Sequence, residues 1–363
     1  MGMWYDQYQT EYIDPAHDEI EPIIEFLNNF GMHYEKDIEK TIVIKKEDEI
    51  IATGSYSYNV IKAIAIDRDY HGQGLLNTIV TLLRKMINQQ NSQKVFVYTQ
   101  KKEAAKFKSL GFSEISSLGS YPVLLEDAID GVEQFSNNLK NRVMDKFEKN
   151  WGSAELGAYQ TAALVVNCNP ITRGHLYLIK KAARENDIVL VFVVSEDRSL
   201  FPTQVRYGLV KEATRNYDNI IIFKGGEYIL SHATFPSYFI GPDSESKLNR
   251  IYAELDVKVF GEYIGQPLNI DRRYVGYEPF SPVTAAYNQA LEKYLPQYNI
   301  ELRKIERKEY KGEPISASRV RKYIKEKKLK KISPLVPDVT FEFLQRPEAK
   351  KIISKIRNTD SRH

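Results

Sequence analysis

From residue 161 onward the chain repeats one pattern that leaves few folds open. A short apolar run of strand length is followed by a helical stretch, and then by another apolar run. Strands are expected at Ala162–Val166, Ile188–Val194, Ile220–Phe223, Val257–Phe260, Tyr274–Val275 and Glu301–Ile305. Helices are expected at Gly174–Glu185, Gln204–Arg215, Lys247–Leu255, Thr284–Leu295 and Ser316–Lys327, with two more near the C-terminus at Asp338–Leu344 and Glu348–Ile356. Strands separated by helices argue for a parallel sheet with right-handed crossovers, an α/β domain of the Rossmann-like kind.

The first part of the chain has a different rhythm. A helix with apolar Ile20, Ile23, Ile24 and Leu27 precedes strand-like runs at Thr41–Lys45, Ile50–Tyr56 and Val60–Ile66. Gly72 and Gly74 then open a helix whose apolar face is Leu75, Leu76, Ile79, Leu82, Leu83 and Met86. A strand at Lys94–Thr99, a short helix at Glu103–Leu110 and a strand at Tyr121–Leu125 complete an α+β pattern. Residues 128–157 read as a polar helical linker, with Phe135, Leu139, Val143 and Phe147 as a thin stripe and Gly152 and Gly157 as breakers. The expected organisation is therefore a domain at 1–127, a linker at 128–157 and the α/β domain at 158–363.

Composition excludes more than it selects. A net charge of +3 gives no global case for nucleic acid or a membrane. No apolar run nears the ~20 residues that a spanning helix needs, and the N-terminus lacks the layout of a signal peptide. Cys168 is the single cysteine, so there is no internal disulfide and no zinc cluster of cysteines. A reducing cytoplasm is the expected setting.

Two motifs carry chemistry. The first is Asn169-Pro170-Ile171-Thr172-Arg173-Gly174-His175, a strand-to-helix junction. Ligands of parallel sheets collect at such junctions, and a helix N-terminus offers unpaired N–H groups to phosphate. Gly174 permits close approach, Thr172 offers a hydroxyl, and His175 can donate to a phosphate oxygen as charge develops. The second is Ile315-Ser316-Ala317-Ser318-Arg319-Val320-Arg321, with Ser316 as N-cap and Arg321 one turn in as a charge clamp. Either one alone is commonly a plain helix cap. Together, in this order and about one α/β domain apart, they are specific. Asn167, Asn169, Arg206 and Arg273 are further expected contacts to ATP. Cys168 reads as a small buried side chain, and His232 as structural.

This pair resembles the HxGH and ISxSxxR signatures of the nucleotidylyltransferase superfamily, with Thr172 in place of the first histidine. The stretches Ser231–Ile240 and Arg273–Asn288 resemble the citrate lyase ligase family, as does the order of the two domains. That resemblance implies a reaction in which ATP and acetate form acetyl-adenylate and pyrophosphate. The acetyl group then passes to the thiol of a CoA-like prosthetic group on the acyl carrier subunit of citrate lyase. It implies His175, Thr172 and Arg321 as catalytic groups. Gly174, Ser316 and Ser318 would join the ATP site, and Mg²⁺ would arrive with the nucleotide and without an all-protein cage. The alternative is an adenylyltransferase acting on a phosphopantetheine- or nicotinamide-mononucleotide-like acceptor.

The N-terminal loop His71-Gly72-Gln73-Gly74 resembles the acyl-CoA pyrophosphate loop of GNAT acetyltransferases, and Lys106–Phe112 resembles a later motif of that family. Phe107 stands where that family commonly has a tyrosine that protonates a leaving thiolate. A thiol attacking acetyl-adenylate expels AMP, a good leaving group, and needs no such acid. The domain is therefore expected to bind the prosthetic arm. Two basic stretches, Lys101–Lys108 and Arg321–Lys331, are candidate landing sites for a carrier protein.

Overall fold

The computed structural model describes residues 8–90, 92–152, 156–195, 199–235, 246–277 and 282–358. The chain divides into two compact units, Met1–Gly131 and Val132–His363.

The first unit is built on a seven-stranded sheet in the order β1-β2-β3-β4-β5-β7-β6. Its strands are β1 (Gln9–Ile13), β2 (Lys40–Lys46), β3 (Glu49–Ser57), β4 (Val60–Ile66), β5 (Lys94–Thr99), β6 (Ser113–Ser117) and β7 (Val123–Ala128). All neighbours are antiparallel except β4 and β5. That one parallel pair needs a crossover, and α2 (Leu75–Gln89) supplies it. Ile79, Val80, Leu83 and Ile87 of α2 lie fully buried against Ile42, Ile44, Ile51, Val95 and Val97 of the sheet. Helices α1 (Glu21–Asn28) and α3 (Ala104–Ser109) complete the unit. The mixed sheet, with a glycine loop feeding its crossover helix, bears out the α+β pattern read from the sequence.

The second unit begins with α4 (Val132–Trp151). The sequence read this segment as linker. Its stripe in fact belongs to the second unit's core, because Leu139, Val143 and Phe147 are buried, Phe135 lies against Tyr228 and Phe147 against Tyr159. The sheet that follows has five parallel strands in the order β10-β9-β8-β11-β12. They are β8 (Thr161–Val166), β9 (Ile188–Val193), β10 (Ile220–Lys224), β11 (Arg272–Gly276) and β12 (Glu301–Ile305). Strand order reverses between β8 and β11, so the carboxyl ends of these two strands border the crevice where doubly wound sheets bind ligands.

Helices α5 (Arg173–Glu185), α6 (Thr203–Ala213), α7 (Ser246–Phe260) and α8 (Pro282–Tyr294) make the crossovers. The strand expected at Val257–Phe260 is instead the last turn of α7, continued by a π-helical turn at Gly261–Gly265. Val257, Val259 and Phe260 are buried around the partly exposed Lys258, and a run of four residues is too short for its period to tell helix from strand. A two-stranded hairpin, β13 (Glu309–Tyr310) with β14 (Glu313–Pro314), leads into α9 (Ala317–Lys325). The terminal helices α10 (Asp338–Phe343) and α11 (Ala349–Asn358) brace α9: Val320 and Ile324 share one core cluster with Leu335, Leu344, Ile352 and Ile356.

Candidate active site

The two motifs, far apart in sequence, meet at the crevice. β8 ends at Val166, and α5 starts after N-cap Thr172. The Thr172 hydroxyl accepts from the His175 backbone N–H at 3.3 Å, and the Thr172 backbone N–H donates to His175 Nδ1 at 3.1 Å. This is a reciprocal capping box with histidine in the place usually taken by Glu or Gln. The bond has a chemical consequence. A backbone N–H can only donate, so Nδ1 is an acceptor and the proton of the neutral ring sits on Nε2. Burial, then the positive charges of Arg307 and Arg321, push the His175 pKa down to about 4. Near neutral pH, His175 is therefore an uncharged Nε2–H donor.

The glycine of the motif has a packing role. A Cβ at Gly174 would lie 2.9 Å from the carbonyl oxygen of Ile315, the residue that opens the second motif. From the other side, Arg321 Nη1 donates to the Asn169 carbonyl at 2.6 Å and Nη2 to Ser318 Oγ at 3.2 Å. Burial lowers the Arg321 pKa to about 10, so it stays cationic at physiological pH. Ser316 caps α9 by accepting from the Arg319 N–H at 3.1 Å, as expected. Thr172, His175, Ser316, Ser318 and Arg321 thus belong to one site, and Arg321 ties its halves together.

Other expected ATP contacts lie elsewhere or are already engaged. Arg206 is wholly buried, and each guanidinium nitrogen donates within the chain: Nε to the Phe201 carbonyl, Nη1 to the Asn167 carbonyl and side chain and to the Val194 carbonyl, and Nη2 to Thr203 Oγ1. It clamps the loop after β9 onto the loop after β8, so every nitrogen of the group is already engaged within the chain. Asn167 and Asn169 serve the same clamp, accepting from Ser199 and from the Phe201 N–H. Arg273 is 1% exposed and lies beside the ring of Phe260, Tyr287 and the Asp256 carboxylate, none of which belongs to either motif. Thr172, also 1% exposed, positions His175 through the capping box.

Cys168 is fully buried with its thiol pushed up to about 12 by burial, as its reading as an inert packing residue requires. His232 is buried in the turn after Leu230, while residues 236–240 and 278–281 of the two family-like stretches lie outside the described residues. Arg307, which no motif marks, lies two residues past the end of β12 and adds positive charge at His175. Its signal was position: a cation just past the carboxyl end of a parallel strand.

In the first unit, Gly72 and Gly74 have φ of +79° and +80°, and Gly74 is the N-cap of α2. No atom lies within 4 Å of where a Cβ would stand at either glycine. Gln73 accepts from the Tyr8 hydroxyl at 2.6 Å, and His71 Nε2 lies 3.1 Å from the Ile66 carbonyl. The four residues form an exposed turn over a helix N-terminus. Phe107 is buried in T-shaped contact with Phe112.

Fold and site define the second unit as a nucleotidylyltransferase-like α/β domain in which the two motifs meet. Comparison with known proteins gives the family. Residues 161–344 match the Citrate lyase ligase C-terminal domain. The chain is 37% identical over 328 residues to the [Citrate [pro-3S]-lyase] ligase of Escherichia coli strain K12, covering 89% of each. It belongs to the citrate lyase ligase family, and so to the ligases. Over 58 residues, 15% of this chain and 35% of its relative, it is also 36% identical to the phosphopantetheine adenylyltransferase of Thermobifida fusca. Among solved structures, the ribosomal-protein-S18-alanine N-acetyltransferase from E. coli aligns with 34% of this chain and 96% of its own, at 12% identity and a TM-score of 0.27. No helix among the described residues is long and apolar enough to cross a membrane.

Proposed function

We propose that this chain activates acetate with ATP and passes the acetyl group to the thiol of the CoA-like prosthetic group on the acyl carrier subunit of citrate lyase. An acetate oxygen attacks the α-phosphorus, and pyrophosphate leaves. The thiolate sulfur then attacks the acetyl carbonyl carbon. The bond between that carbon and the bridging oxygen breaks, AMP leaves with the oxygen, and the thiol proton goes to solvent. The observation that carries this reading is the joined pair of motifs, with His175 held as a neutral Nε2–H donor and Arg321 bridging both loops.

The work asked of the residues is positioning and charge neutralisation. His175 donates to the phosphoryl oxygens as charge grows on them. The N–H groups at the start of α5 and α9, with Ser316 and Ser318, hold phosphate oxygens. Arg321 and Arg307 supply positive charge. Among the described residues, no group of three or more His, Cys, Asp or Glu could hold a metal. Mg²⁺ is read as arriving bound to the triphosphate, and no step above depends on it. The loop at His71–Gly74 is read as the seat of the prosthetic arm, and the reducing cytoplasm as the setting.

A second reading, adenylyl transfer to a phosphopantetheine-like acceptor, is favoured by the short likeness to the Thermobifida fusca protein. One assay separates the two. The full chain is incubated with ATP, acetate and deacetylated carrier, and AMP, pyrophosphate and acetylated carrier are followed together. Stoichiometric appearance of all three supports the ligase. AMP retained in a dinucleotide-like product, without need of acetate, supports the transferase.

A further inference from the structure

The second unit holds a charged group that the chemistry above leaves unused. Arg273, on β11, is 1% exposed, yet Nε and Nη1 find no hydrogen-bond acceptor among the described residues. Its guanidinium lies 4.1 Å from the centre of the Phe260 ring, a contact that suits a cation but accepts none of its in-plane N–H bonds. The nearby carboxylate does not fill the gap. Asp256 Oδ1 accepts from the Leu230 N–H at 2.8 Å and from Thr234 Oγ1 at 2.5 Å, and Oδ2 accepts from the Tyr287 hydroxyl at 2.7 Å. Asp256 thus ties the 230–234 turn to α7 and α8, while Arg273 keeps two donors unspent. Native chains rarely leave buried donors unmet, and a buried guanidinium least of all.

Position suggests what meets them. Arg273 pairs with Ala163 of β8, so it stands on the strand beside the one that runs into the His175 loop. It is three residues from the carboxyl end of β11, about 10 Å at strand rise. The surrounding side chains, Phe260, Phe235 and Tyr287, are buried rings. Buried rings around a cation that keeps two donor nitrogens unmet, beside the Tyr287 hydroxyl and the Asp256 carboxylate, suit a small acid with a short hydrocarbon end, and not a nucleotide.

We propose that Arg273 is the carboxylate-recognising residue of this enzyme, receiving the small acid substrate in the space bounded by β11, α7 and the 230–235 turn. The inference rests on the acid-activating reading above and gives that reading its specificity group.

The test uses the full-length chain and acetate-dependent exchange of pyrophosphate into ATP, without carrier. Arg273→Lys keeps the charge and loses most of the guanidinium geometry. It should raise the acetate KM tenfold or more and leave the ATP KM within about twofold. Arg273→Ala should lose exchange and regain part of it with added methylguanidinium. Tyr287→Phe keeps the ring against Phe235, removes the hydroxyl that bonds both Asp256 and Arg273, and frees Asp256 Oδ2 to compete for Arg273. It should raise the acetate KM several-fold, which keeps the question open to answer if the arginine variants do not fold. An ATP KM that rises in place of the acetate KM would make Arg273 a phosphate ligand and overturn the proposal. So would folded variants with both KM values unchanged, which would make it a structural cation. Absence of exchange in the wild type with acetate, formate or propionate would instead defeat the acid-activating reading, before any variant is compared.

Discussion

The loops before α2 and before α5 both carry a chain from a strand into a helix through glycine, for unlike reasons. At Gly72 and Gly74 the backbone is left-handed and the space above is open, so glycine is there for its φ. At Gly174 the backbone is ordinary, but the Ile315 carbonyl fills the place of a side chain. The first loop is an open turn that a ligand can cover. The second is a closed joint between two motifs, and its openness to a ligand lies at His175 and Arg321. The same residue type in the same local setting thus marks an open turn in one unit and a packed joint between two motifs in the other.

The largest expected effect lies in the joint. His175→Ala removes the neutral donor and should slow acetate-dependent exchange of pyrophosphate into ATP by about 10²–10³-fold. The ATP KM should change little, because the donor matters most as charge develops; an exchange rate within tenfold of wild type would remove His175 from the chemistry. Gly174→Ala comes next. Its Cβ must displace a backbone carbonyl, so thermal unfolding should reveal a cost of about 1–3 kcal/mol, with a matching loss of exchange. Gly74→Ala sharpens the contrast. Strain from a non-glycine residue at positive φ should cost about 1 kcal/mol, leave exchange intact, and slow only acetylation of the carrier. Equal damage to both half-reactions by Gly74→Ala would erase the distinction between the two loops.

The pH dependence gives a subtler check. A histidine with a pKa near 4 remains neutral through the working range, so the exchange rate should show no limb near pH 6.5. The stability consequence has a definite sign. The unfolded chain takes up this proton near 6.5 and the folded chain only near 4, so the stabilising preference is full above 6.5 and is lost as pH falls toward 4. His175→Gln should flatten that part of the stability profile. The smallest effect concerns Cys168. A buried thiol pushed up to about 12 should react with thiol reagents only as the chain unfolds.

Much of this was legible in the sequence because the signals were local. Strand-length apolar runs gave β8, β9 and β10, and cap residues gave the starts of α5 and α9. What escaped depended on partners distant in the chain. β1 is an edge strand with three of its five residues exposed, so it shows no apolar alternation. Arg206 looked like a phosphate ligand because its acceptors are backbone carbonyls of Phe201, Asn167 and Val194, which no motif records. Thr172 and His175 were read as two separate donors, whereas the capping box makes one the positioner of the other and fixes the tautomer. The closure of the site by Arg321 on Asn169 links residues 152 apart in sequence, and only the fold brings them within 2.6 Å.

The most direct test of the central claim is exchange of labelled pyrophosphate into ATP by the full chain, with acetate and without carrier, in the wild type and in His175→Ala. The account predicts exchange that requires acetate and falls by at least a hundredfold in the variant. Exchange that ignores acetate, or that survives loss of the His175 ring, would contradict it.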